Sequence, residues 1–139
     1  MNKIVLRGRK VHGGSAQGEA VVSKMGMAFY GSIDAYTGKV VEAGHDIEGR
    51  EVAGRILVFK TGKGSSAFSI GAQALRFLGN SPKALVVKES NPQVALGAVV
   101  MGIPAVADIE KDPTEVISTG DWVKVDGDRG LIEITKQGR

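Results

Sequence analysis

The sequence predicts an α/β fold with a central parallel β-α-β-α-β unit flanked by antiparallel strands. Between residues 56 and 107, three short apolar runs alternate with two segments of helical periodicity. This order is typical of parallel strands joined by right-handed crossovers. Both ends of the chain instead alternate apolar and charged residues, which indicates antiparallel strands with one solvated face.

The first strand of the unit is the continuous apolar run 56–59, which leads into a glycine-rich turn. Either Ser65 or Ser66 can cap the helix that follows, because a serine hydroxyl accepts a hydrogen bond from the free amides of the first turn. Apolar residues then recur at helical spacing as far as Leu78, and Gly79 ends the helix.

The second β-α step repeats the first. Residues 84–88 form a buried strand, Asn91 is the predicted cap, and Pro92 occupies the favoured first helical position. Gly102 ends this helix, and residues 103–107 form the third strand of the unit.

Antiparallel strands are expected on both sides of this unit. Residues 3–9 are predicted to pair with residues 19–23, and residues 122–125 with residues 131–134 as a hairpin. The segment 31–45 is predicted to be loop-rich, with one short strand at 39–42.

The turn after the first strand combines several features that bind anions. The helix start supplies unpaired amides and a partial positive charge. Gly62 and Gly64 allow close approach of the backbone, Lys63 adds a cation, and Ser65 and Ser66 add hydroxyls. The alternative is a capped connection without a ligand. Neither the Walker A motif nor the dinucleotide fingerprint fits the turn, which disfavours a nucleotide site.

Four other residues are candidates for the site or for an interface loop. Glu89 follows the second strand, and ligands gather at the carboxyl ends of parallel strands. Asp34, Thr37 and His45 concentrate in the irregular segment 31–45, and such loops often carry function. The alternative for each is a solvated polar residue.

Composition excludes several classes of protein. The net charge of +3 is dispersed along the chain, which disfavours nucleic-acid binding. The absence of cysteine excludes disulfides and thiolate ligation of zinc or an iron–sulfur cluster, and the two histidines lack ligand spacing, so no metal site is expected in this chain. The nearly apolar stretch 94–107 is too short to span a membrane, and residues 1–10 lack a signal core, so a cytoplasmic protein is expected.

The assembled segments resemble the small swivel subunit of the aconitase X family. The resemblance is carried by residues 31–49, 54–69, 84–90 and 102–108 and extends over nearly the whole chain. It implies a single swivelling β/β/α domain over residues 1–139. It also implies a hydro-lyase subunit that is active only in a heterodimer with a large subunit, which carries the iron–sulfur cluster and most of the site for a small phosphorylated carboxylate substrate. The archaeal members imply dehydration of (R)-5-phosphomevalonate to trans-anhydromevalonate 5-phosphate in a mevalonate route to isoprenoids.

The resemblance also implies roles for the residues of the turn. The wider aconitase superfamily has a G-x-G-S-S-R loop, which matches residues 62–67 and gives Ser65 the role of proton acceptor. Gly62, Lys63, Gly64 and Ser66 are then expected to bind substrate. Ala67 occupies the position of the arginine that binds substrate carboxylate, so Lys63 or a residue of the partner is expected to replace it.

Three other functions remain open. The chain could serve a different aconitase X enzyme, such as a cis-3-hydroxyproline dehydratase. A phosphohistidine swivel domain would share residues 102–106 and the C-terminal hairpin, with His12 or His45 as the phosphocarrier. A non-catalytic assembly module would use Ser65 only as a helix cap.

Overall fold

A computed structural model describes residues 3–65 and 67–137 of the chain. The strands are β1 (Lys3–Arg7), β2 (Arg9–His12), β3 (Ser15–Val22), β4 (Ile33–Asp34), β5 (Lys39–Val40), β6 (Ile56–Thr61), β7 (Ala84–Glu89), β8 (Ala105–Ala107), β9 (Trp122–Asp126) and β10 (Leu131–Thr135). The helices are α1 (Phe29–Ser32), α2 (Ala67–Phe77), α3 (Pro92–Met101) and α4 (Pro113–Val116).

The main sheet has the strand order β1-β10-β9-β3-β6-β7-β8-β2. Its centre is parallel, because β6 pairs with β3 on one side and with β7 on the other, and β7 pairs with β8. The outer pairings β1–β10, β10–β9, β3–β9 and β2–β8 are antiparallel. The predicted fold class is therefore confirmed.

The strand β3 changes partner part-way along its length. Its residues 15–19 pair with β9, whereas its residues 20–22 pair with the start of β6. The antiparallel strands thereby continue from the parallel strands and pack, with α4, against one of their faces, while α1, α2 and α3 cover the other face.

Side-chain alternation along β6 divides the hydrophobic core between these layers. Leu57 and Phe59 belong to the cluster on the helical side, which includes Phe68, Leu75 and Val94. Ile56 and Val58 belong to the opposite cluster, with residues of the antiparallel strands. All four of these β6 residues are fully buried, as the continuous apolar run predicts.

Most of the predicted elements are confirmed. The strands 56–59 and 84–88 and the helix that follows each are present, and the hairpin 122–125 with 131–134 is formed by β9 and β10. Asn91 caps α3, and Gly102 ends it in the left-handed conformation. The short strand expected at 39–42 is reduced to the two residues of β5.

The predicted pairing of residues 3–9 with 19–23 is wrong. Residues 3–7 pair with β10, and residues 9–12 form a separate strand on β8 at the far edge of the sheet. Gly8 separates the two strands, and it has no room for a side chain because an added Cβ would lie 2.8 Å from the Ala107 carbonyl oxygen. The alternating pattern predicts strands correctly but does not identify their partners.

Candidate functional site

The glycine-rich turn lies at the carboxyl edge of the parallel strands, between the end of β6 and the start of α2. In the register of β6 with β7, Thr61 is opposite Glu89. The Thr61 hydroxyl donates to the Glu89 carbonyl oxygen at 2.9 Å. Glu89 thus ends its strand beside the turn with an exposed side chain, and its function stays a prediction.

Each glycine of the turn meets a different requirement, a steric one at Gly62 and a conformational one at Gly64. Gly62 is buried, and a Cβ added to it would lie 2.7 Å from Val94 Cγ2 and 3.0 Å from Asn91 Oδ1. Gly64 has a φ of +98°, in the region that favours glycine. Close packing of the turn against α3 therefore accounts for Gly62.

Ser65 lies exposed at the start of α2. Its Oγ accepts a hydrogen bond from the Ala67 amide at 3.3 Å, and its carbonyl oxygen accepts from the Phe68 amide at 3.1 Å. These contacts are those of a helix cap. The other predicted hydroxyl, that of Ser66, lies outside the described residues.

Lys63 is paired with an acidic residue that the sequence does not single out. Its Nζ lies 2.7 Å from Glu42 Oε2, and the other oxygen of Glu42 accepts a hydrogen bond from the Ser32 hydroxyl. The hydrogen bonds from Lys63 and then Ser32 lower the pKa of Glu42 below its ordinary value, although partial burial opposes them. Both Glu42 and Ser32 belong to the loop-rich segment 31–45, so a candidate segment was recognisable although these residues were not.

His45 is buried beneath the same region. Its Nε2 donates to the Gly26 carbonyl oxygen at 3.0 Å, and its Nδ1 accepts from the Ile47 amide at 3.3 Å. The residue after Gly26 is Met27, whose amide donates to the Thr61 carbonyl oxygen at 2.9 Å and whose carbonyl accepts from the Lys63 amide at 3.0 Å. His45 therefore supports the segment on which the turn rests.

The other histidine lies in β2. The Nδ1 of His12 is 2.9 Å from the backbone carbonyl oxygen of Ile103. Neither His12 nor His45 precedes a helix of the described chain, which is the position that a phosphohistidine carrier requires.

Asp34 and Thr37 form a closed turn between β4 and β5. The Asp34 carboxylate accepts from the Tyr36 amide at 3.0 Å and from the Thr37 hydroxyl at 3.1 Å. Asn80, three residues beyond α2, donates to two carbonyls of this turn. Since Ser65 precedes α2, whose 11 residues span about 16 Å, the structure does not bring Asp34 and Thr37 to Ser65. Their function stays a prediction.

Two other kinds of site are absent from the described part of the chain. Residues 3–65 and 67–137 contain no group of three or more His, Cys, Asp or Glu side chains that could hold a metal ion. No helix among them is long and apolar enough to cross a membrane.

The family model described as the aconitase X swivel domain matches residues 5–134. The chain belongs to the aconitase X swivel family. Its family relatives include the phosphomevalonate dehydratase small subunit of Thermococcus gammatolerans, which is 44% identical over 129 residues, covering 93% of this chain and 96% of the relative. The protein of the same name from Methanosarcina mazei is 41% identical over 138 residues, covering 99% of this chain and 96% of the relative.

The fold comparison agrees with this assignment. The crystal structure of Thermococcus kodakaraensis aconitase X in its holo-form superposes with a TM-score of 0.90 at 41% identity, covering 96% of this chain and 99% of that chain. The solution structure of a UPF0107 protein gives a TM-score of 0.86 at 40% identity, covering 96% of this chain and all of that chain. The family resemblance inferred from residues 31–108 is therefore confirmed.

Proposed function

We propose that this chain is the small subunit of a phosphomevalonate dehydratase. The complex would dehydrate (R)-5-phosphomevalonate to trans-anhydromevalonate 5-phosphate. The names of the relatives support this proposal, because they agree across proteins 41–44% identical to this chain over nearly its full length. A different aconitase X substrate would use the same fold, so the substrate must be assayed directly.

The proposed role of this chain is to supply Ser65 as the proton acceptor. The observation that carries this role is the position of Ser65, exposed at the carboxyl edge of the parallel strands and at the start of a helix of 11 residues. In its alkoxide form, Ser65 Oγ would take the proton from the carbon next to the substrate carboxylate, and the C–H electron pair would form the double bond as the C–O bond of the substrate hydroxyl breaks. The departing hydroxide would take a proton from solvent to become water, and Ser65 would return its own proton to solvent. Donation from the Ala67 amide and the helix dipole would stabilise the negative charge of the Ser65 alkoxide before it takes the proton.

Gly62, Lys63, Gly64 and Ser66 are proposed to hold the anionic groups of the substrate. Lys63 is the cation of the described turn, and Ala67 offers no charge where the superfamily loop has arginine. The ammonium has three donors and gives one to Glu42, so it keeps donors for a carboxylate or phosphate oxygen.

The iron–sulfur cluster expected for the family does not fit this chain. The sequence has no cysteine, and the described residues form no metal-ligating group. We therefore assign the cluster to the large subunit, and the roles proposed for Ser65 and Lys63 concern the residues of this chain alone.

An apolar surface next to the turn is the proposed contact with the large subunit. The groove between the starts of α2 and α3 has a volume of about 430 Å³ and is lined by Phe68, Ser69, Pro92, Gln93 and Leu96. Gln93 joins the groove to the turn, because its side-chain amide contacts Gly64. Leu96 is 48% exposed there, and Ile70, on the adjacent helix, is 56% exposed. A partner on this surface would also cover Ser65, and exclusion of water strengthens the electrostatic interactions at a site.

The proposed function is tested by mixing this chain with its large subunit under anaerobic conditions and assaying 5-phosphomevalonate and cis-3-hydroxyproline in parallel. We expect dehydration of 5-phosphomevalonate alone. Ser65→Ala should abolish turnover while the subunits still associate, and Ser15→Ala, an exposed serine at the start of β3, should leave turnover unchanged. Near-normal turnover by Ser65→Ala would remove this serine from the mechanism.

The subunit contact is tested by charge insertion. Leu96→Asp should weaken association at least tenfold, because it places a charge in an apolar interface. Val5→Asp is the matched control, since Val5 is similarly exposed at 55% but lies on the edge strand β1 in the antiparallel layer. Equal effects of the two substitutions would place the contact elsewhere.

A further inference from the structure

The start of α3 holds the glycine-rich turn of residues 62–65, the Ser65 turn, through the side chain of the capping residue Asn91. The Asn91 Oδ1 accepts from the Val94 amide at 3.0 Å, which caps α3. Its Nδ2 donates to the Gly62 carbonyl oxygen at 2.7 Å and to the Thr61 hydroxyl at 3.2 Å. The two ends of one side-chain amide therefore connect the helix start to the turn.

Gln93 makes a second connection between the same elements. Its Nε2 donates to the Gly64 carbonyl oxygen at 3.0 Å. The carbonyls on both sides of Lys63 are thus bound by side chains from the start of α3. These bonds add to the close packing of Gly62 against Val94 and Asn91.

Holding these carbonyls also sets the direction of the amides that follow them. In a trans peptide unit the C=O and the next N–H lie in one plane and point in opposite directions. The Gly64 carbonyl points to Gln93, so the Ser65 amide points away from α3. The bond from Asn91 orients the Gly62–Lys63 unit in the same way, and the Lys63 amide reaches the Met27 carbonyl oxygen on the opposite side at 3.0 Å.

We propose that Asn91 and Gln93 are positioning residues for the reaction, because their side-chain amides fix the peptide units that carry Lys63 and Ser65. This inference rests on the proposed role of Ser65 as proton acceptor. Neither residue needs to touch the substrate. Their effect is on the geometry of the turn, and small misplacements of a reacting group can cost about 100-fold in rate.

The decisive substitution is Asn91→Asp. Aspartate caps a helix as well as asparagine does, so the bond from the Val94 amide is retained. The donor to Gly62 and Thr61 is lost, and a carboxylate oxygen then faces the Gly62 carbonyl oxygen. Gln93→Glu removes the donor to Gly64 in the same manner.

Asn80→Asp is the matched control. The Asn80 amide also donates to two backbone carbonyl oxygens, those of Ala35 at 2.9 Å and Tyr36 at 3.0 Å. It does so at the opposite end of α2. Any general effect on folding that comes from replacing such an amide by a carboxylate therefore appears in this variant as well.

The variants are compared in the reconstituted complex by kcat and KM, and alone by thermal unfolding and by amide spectra of the ¹⁵N-labelled chain. We expect Asn91→Asp to lower kcat about 10- to 100-fold with KM and subunit affinity changed less than threefold, and to shift the amide signals of residues 62–65. Asn80→Asp should leave kcat and these signals unchanged. Equal kcat values for the two variants would overturn the proposal.

A double substitution separates this inference from the proposed function. In the Ser65→Ala chain, Asn91→Asp should still shift the amide signals of residues 62–64, because the lost bonds are those to Gly62 and Thr61. Unshifted signals would overturn this inference even where Ser65→Ala abolishes turnover. Full activity of Ser65→Ala would overturn the proposed function, and with it this inference, whatever the Asn91 variant does.

Discussion

Lys63 and Glu42 form an ion pair that joins the Ser65 turn to the loop after β5, with Nζ 2.7 Å from Oε2. The Glu42 side chain is 27% exposed and that of Lys63 is 43% exposed. The pair is therefore partly screened by solvent, and its contribution to folding is modest. It nevertheless sets the resting position of the cation assigned to the substrate anion.

Because of this ion pair, we expect the difference in stability between the unchanged chain and its Glu42→Gln variant to depend on pH. Because the folded-state pKa of Glu42 lies below its ordinary value of 4.5, the pair stabilises the fold above pH 4.5 and its contribution is lost as the pH falls through the folded-state pKa. Glu42→Gln should lower the free energy of unfolding by about 1 kcal/mol or less at neutral pH. The difference should vanish in acid.

Urea unfolding over a pH series measures this effect. Glu133→Gln is the control, because Glu133 pairs with Lys3 at 3.3 Å between more exposed side chains, and it should give a smaller difference. A difference for Glu42→Gln that is the same at all pH values would show that the ion pair is not its source.

Gly62→Ala is expected to destabilise the fold by about 1–3 kcal/mol, because its Cβ would overlap Val94 Cγ2. Val94→Ala should relieve part of that cost, so the two substitutions together should be less damaging than the sum of their separate effects. Chemical denaturation of the four proteins of the cycle measures the coupling. Gly18→Ala is the control, since its nearest neighbour would lie 3.6 Å away. Additive effects would contradict the packing argument.

His45→Leu is expected to lower the free energy of unfolding by about 2 kcal/mol, because it leaves the Gly26 carbonyl and the Ile47 amide without their side-chain partner. His12→Leu should lower the free energy of unfolding by less, because His12 is only partly buried and bonds one carbonyl. Thermal unfolding compares the two. Equal losses would indicate that the imidazole bonds of His45 do not account for its contribution.

Asp121→Ala should be the most destabilising of these substitutions, at about 3 kcal/mol, because it breaks a buried ion pair. The Asp121 side chain is fully buried and accepts from Lys136 Nζ at 2.5 Å, the Ser118 amide at 2.8 Å and the Gln137 amide at 3.0 Å. Burial alone would raise the pKa of Asp121, but the bonds from Lys136, Ser118 and Gln137 lower it overall. The contribution is therefore present above the ordinary value of 3.8 and lost in stronger acid.

The kcat of the folded complex should be unaffected by Asp121→Ala. The Asp121 carbonyl accepts from the Ala20 amide, and Ala20 pairs with the first residue of β6, whereas the Ser65 turn follows its last residue. Assays well below the unfolding temperature, with folded protein quantified, measure this. A proportional loss of kcat would indicate that the two edges of the sheet are coupled.

The parts of the fold that depend on local signals were predictable. The run 56–59, the cap at Asn91 and the stop at Gly102 are each determined by neighbouring residues, and each is confirmed. The partners of β3 were not predictable. Its alternation of apolar and polar residues fits pairing with either neighbour, and only packing between strands distant in sequence decides between them. The helix α4 was also missed, since its four residues are too few to show a period, although Asp112 and Pro113 are a recognisable start.

The site was predictable to the same extent. The turn at 62–65 is a local pattern, whereas Glu42 and Asn91 reach it from 21 and 29 residues away, respectively, in the bonds to Lys63 and Gly62. Sequence spacing does not predict these contacts, because they form only when the complete sheet brings segments that are distant in sequence together. The sequence therefore indicates the candidate segment but not the side chains that hold it.

The shared strand β3 has a consequence for how this molecule opens. Its residues 15–19 pair with one layer and its residues 20–22 pair with the next, so neither layer can separate without unpairing part of a strand that also belongs to the other. Hydrogen–deuterium exchange along β3 should therefore report a single opening event, with the same free energy of opening on both sides of the junction.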